Sequence, residues 1–90
     1  MNIHEFEAEA LRAWWLVERV DDSHEMTLVY MGEENGQEIH VRPYDHEYEL
    51  KWVNCSAWGC PKPSSGCLHM STANTLEELL DRANELIRRI

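Results

Sequence analysis

The chain has 90 residues, enough for one hydrophobic core and too few for a second domain, so a single domain over 1–90 is expected. Its 43% hydrophobic content, with four Trp, three Tyr and one Phe, excludes the composition of a disordered chain. Seventeen acidic residues against eight basic ones give a formal charge of −9, a field that opposes direct binding to nucleic-acid phosphate or to anionic membranes.

Asn2 followed three residues later by Glu5 reads as an N-cap with a capping-box partner. Beyond it Phe6, Ala10, Ala13, Trp14 and Val17 recur at spacings of three and four, which predicts a helix ending near Arg19 or Val20. Asp21, Asp22 and Ser23 break the pattern. Glu25 to Met31 then reads as a strand, with Met26, Leu28 and Tyr30 on one face and Thr27, Val29 and Met31 on the other. Asn35-Gly36 suits a hairpin turn, and Glu38 to Arg42 alternates with Ile39 and Val41 pointing one way.

After the interruption at Pro43 to His46, Tyr48, Leu50 and Trp52 alternate with Glu47, Glu49 and Lys51, the pattern of a strand with one buried and one wet face. Asn54 to Gly66 holds too many Gly, Pro and Ser residues for regular structure, and Cys67 to Ser71 is expected to form a short fourth strand. Thr75 and Glu78 make a second capping box, followed by an apolar face of Leu76, Leu79, Leu80, Ala83, Leu86, Ile87 and Ile90. The predicted fold class is therefore α+β: an N-terminal helix, a three- or four-stranded antiparallel sheet and a C-terminal helix, with both helices on one sheet face. Double-stranded-RNA-binding domains share an α-β-β-β-α order, but the basic clusters with which they grip phosphate are missing from this chain, and their function is not carried over.

Glu5, Glu7 and Glu9 stand where a secretory signal would be basic, and no run approaches the roughly 20 apolar residues that span a bilayer, so a cytoplasmic protein is expected. Three cysteines cannot all pair within one chain, which agrees with a reducing compartment. Cys55, Cys60, Cys67 and His69, spaced C-x4-C-x6-C-x-H, supply four donors of the kind that hold zinc. The C-x2-C knuckle typical of such sites is absent, and the competing reading is of small, half-buried side chains. No cofactor other than this zinc candidate is expected.

Phosphate-binding glycine loops, nucleophile elbows and H-E-x-x-H helices are all missing, so the chain reads as a non-enzyme. The acids are concentrated in residues 1–50, which hold 13 of them and only 3 bases. Glu38, Glu47 and Glu49 are expected on the wet face of neighbouring strands, with Glu33, Glu34 and Asp45 at the turns, forming a negative surface. Trp15, beside the helical stripe, and Trp58, in the breaker-rich loop, are the tryptophans placed for contact.

The leading functional reading is an acidic protein-interaction module or small inhibitor that meets a basic surface of a partner protein, in the strongest form a nucleic-acid-handling one whose groove the carboxylates occupy. Some small phage-encoded inhibitors of host defence work in that manner, and the chain resembles them in size and charge. The alternatives are a zinc-stabilised domain built on the Cys3His loop, and a subunit that completes an enzyme site in an oligomer.

Overall fold

A computed structural model describes residues 1–19, 23–32, 37–52 and 70–88. In chain order they form α1 (Ile3–Arg12), β1 (Trp15–Arg19), β2 (Met26–Tyr30), β3 (Glu38–Tyr44), β4 (Glu47–Trp52), β5 (Met70–Ala73) and α2 (Leu76–Arg88). The strands make one antiparallel sheet in the order β1-β2-β3-β4-β5, so every strand pairs with its neighbour in sequence.

The α+β class, the two terminal helices and the antiparallel sheet agree with the sequence reading, but the sheet has five strands rather than three or four. The additional strand is β1, which the periodicity assigned to the first helix. That helix stops at Arg12: Ala13 is its C-cap, and Trp14 takes a positive φ of 70° that reverses the chain. Trp15, Leu16 and Val17 are aromatic, leucine and β-branched in succession, and pairing with β2 outweighs the continuing helical spacing.

Both ends of the sheet are fixed by helices with well-formed starts. At α1 the Glu5 N–H donates to Asn2 Oδ1 at 2.9 Å and the Asn2 N–H donates to Glu5 Oε1 at 3.4 Å, closing the capping box. At α2 the Glu78 N–H donates to Thr75 Oγ1 at 3.1 Å, while the Glu78 carboxylate accepts from the Asn74 N–H at 3.4 Å, one residue earlier than a capping box requires.

The register places Trp15 and Val17, Met26 and Leu28, Ile39 and Val41, and Leu50 and Trp52 on one face. Phe6 and Ala10 of α1 and Leu76, Leu79, Ala83 and Leu86 of α2 join these residues in a single buried core, and the helices touch each other across it. Both helices therefore cover the same sheet face, as expected from the sequence. Trp15 and Trp52 are fully buried, each removing roughly 150–250 Å² from water. The Trp15 indole packs against Tyr30 with ring centroids 5.0 Å apart and donates its Nε1–H to Asn84 Oδ1 of α2 at 2.9 Å. This bond ties the first strand to the last helix.

Candidate interaction surface

The opposite, outer face of the sheet has no helix over it among the described residues. Its cross-strand rows follow from the register: Leu16, Val29 and Glu38 form one, Glu18, Thr27, His40 and Lys51 the next, Arg42, Glu49 and Thr72 a third, and Tyr44 and Glu47 a fourth. Glu38, Glu47 and Glu49 thus lie on the outer face, where strand alternation predicts them. The structure groups Glu47 with Glu49, two residues apart on β4, but sets Glu38 four residues along β3 from Arg42, the partner of Glu49, about 13 Å away at strand rise. Arg42 and Lys51 also stand among the carboxylates, so the face carries two acidic stretches separated by cations rather than one continuous row.

The row containing Glu38 leads into an apolar corner. Because α1 ends at Arg12, Trp14 falls on the chain reversal instead of in a helical stripe and is 61% exposed, whereas Trp15 is completely buried. This inverts the two residues' expected roles: Trp15 belongs to the core, and Trp14 is the contact candidate. Leu11 at 56%, Leu16 at 43% and Met31 at 40% are exposed close by in the chain or across the β1–β2 pair. The Met31 N–H donates to the Trp14 carbonyl at 2.7 Å, locking the corner to the end of β2. A cavity of about 450 Å³ opens there, lined by Trp14, Tyr30, Met31 and Gly32. The Tyr30 ring lies over Gly32 so closely that a methyl group at that position would overlap it.

No family model, curated protein or solved structure matches the chain.

A second basin, of about 460 Å³, lies beside the β3–β4 turn and is lined in part by His24, Asp45, His46, Glu47 and Tyr48. His24 Nδ1 and the Tyr48 hydroxyl are hydrogen-bonded at 2.6 Å, and their rings stack at 5.9 Å with an interplanar angle of 11°. Burial pushes the Tyr48 phenol above its ordinary value near 10, so the hydroxyl stays protonated and is a donor when Nδ1 is unprotonated. Among the described residues no three His, Cys, Asp or Glu side chains converge as a metal site. Cys55, Cys60, Cys67 and His69, the zinc candidates, and Trp58 all lie outside the described residues, as do Glu33, Glu34 and the Asn35-Gly36 turn.

The sequence held only a partial signal for Trp14, which the helical spacing through Val17 overrode. A helix ending at Arg12, with its Arg in the last turn, leaves Trp15-Leu16-Val17-Glu18-Arg19 as an apolar–polar strand, and Trp14 then falls on the connection.

Proposed function

We propose that this protein is a non-enzymatic interaction module whose apolar corner at Trp14, bordered by the outer-face carboxylates, binds a partner protein with a basic surface. Trp14 carries the reading. The position just past a helix C-cap favours glycine, because a side chain at positive φ is strained, and an exposed indole gains little from folding. A bulky residue that is both strained and 61% exposed contributes little to the fold, which supports a role in contact.

Glu18 and Glu38 border the apolar residues Leu16 and Val29 on the same face, an arrangement of apolar centre and charged margin that suits a protein interface. The formal charge of −9 favours a cationic partner and hastens encounter with it. Proteins that grip nucleic acid present basic surfaces of this kind and are the partner class this reading favours. Inhibition would follow where that surface is the partner's own nucleic-acid site.

The deciding experiment is affinity capture from cells of the source organism with the parent chain, Trp14→Ser and Glu38→Lys, washed at low and high salt. A partner held by the parent, released by salt and lost with both variants is the expected result. Equal capture by all three proteins would defeat the reading.

A further inference from the structure

We propose, building on the interaction reading, that the free edge of β1 receives an extended segment of the partner as a sixth strand, one in which apolar residues alternate with lysine or arginine. β1 is an outermost strand, and two backbone bonds fix the direction of its polar groups. The Met31 N–H bonds to the Trp14 carbonyl at 2.7 Å, and the Tyr30 N–H bonds to the Gln37 carbonyl at 2.8 Å. In an antiparallel sheet these directions alternate, so Trp14, Leu16 and Glu18 pair with β2, whereas Trp15, Val17 and Arg19 turn their N–H and C=O groups to the open side. Among the described residues nothing bonds to that open side.

Edge strands are ordinarily blunted by proline, lysine, a bulge or brevity. β1 runs for five residues in unbroken register and contains neither proline nor lysine; its one inward-facing charge, Arg19, stands at the end of the strand and is paired with Glu7 at 3.3 Å. Its outer face offers Leu16, 43% exposed, followed by exposed Glu18, and its inner face offers half-buried Val17. An incoming strand that sets its apolar residues beside Val17 on the inner face therefore places its alternate, cationic residues on the outer face, where Glu18 supplies the opposite charge and Leu16 an apolar surface for the lysine or arginine stem.

Charge selects the occupant. The cations nearest this edge are engaged, Arg12 with Glu9 at 2.8 Å and Arg19 with Glu7 at 3.3 Å, whereas Glu18 has no ion-pair partner among the described residues. A second copy of the chain would bring another net charge of −9 to the same edge, while a cationic strand would be drawn to it.

The test uses the full chain and an end-blocked peptide of alternating valine and lysine, with an alternating valine and glutamate peptide as comparison. Binding of the cationic peptide is expected to slow amide hydrogen exchange at Val17 and Arg19 by about tenfold or more, leaving Leu16 and Glu18, already bonded to β2, little changed. Val17→Pro removes an outward N–H that the β1–β2 ladder does not use, so the variant should fold and bind the peptide about tenfold or more weakly. If Val17→Pro fails to fold, exchange in the parent chain decides.

The inference is overturned if the cationic peptide does not bind at about 1 mM, if the acidic peptide binds equally, if exchange at Val17 is unmoved at saturation, or if the chain alone dimerises through this edge. A captured partner that survives Val17→Pro but is lost with Trp14→Ser would leave the interaction reading intact and remove strand addition alone.

Discussion

At the scale of single residues, the bond from Trp15 Nε1 to Asn84 Oδ1 satisfies the one polar group of an indole that is fully buried. Asn84→Ala leaves that donor without its acceptor and is expected to cost about 1–3 kcal/mol, read as a lower urea midpoint with an unchanged m-value. Tyr48 gives a second prediction, in alkali. Burial raises its pKa in the folded chain, so the neutral phenol contributes stability that is complete below the unfolded value near 10 and is lost as pH rises through the higher folded value. Unfolding measured at neutral pH and again above pH 10 should show the alkaline loss shrinking in Tyr48→Phe.

At the scale of elements, the turn from α1 into β1 separates stability from contact. Trp14→Gly relieves the strain of φ 70° and is expected to leave stability unchanged or raise it by about 0.5–1 kcal/mol, while abolishing capture of the partner. Denaturation and capture on the same preparation check both halves. The same turn shows where sequence legibility ended. β3 and β4 were readable because each alternates over several residues, β2 because it is rich in β-forming residues, and α2 because its Thr75 cap and its leucines agree. β1 was not, because Phe6, Ala10, Ala13, Trp14 and Val17 satisfy a helical period by coincidence, and only pairing with β2 distinguishes five strand residues from one more turn and a half of helix. Alternation placed Glu38, Glu47, Glu49 and Lys51 on the outer face, but it carries no information about cross-strand neighbours, so the pairing of Arg42 with Glu49 and of Lys51 with His40 emerged only with the register.

At the scale of the whole molecule, the excess of acids sets how association should respond to salt. Affinity for a basic partner is expected to fall several-fold between about 50 and 500 mM NaCl, mainly through slower association, whereas loss of the Trp14 side chain should accelerate dissociation. Surface plasmon resonance on the parent and Trp14→Ser separates the two effects. The meander has a further consequence for synthesis on the ribosome. Strands β1 to β5 can pair in the order in which they emerge, but Leu76, Leu79, Ala83 and Leu86 are made after all of them, and so is the acceptor for the Trp15 indole. Until those residues leave the exit tunnel, a nascent chain bears an oily sheet surface with half of its roof missing. It is then a natural client for chaperones, and a premature stop before Leu76 would yield a product suited to degradation rather than to work.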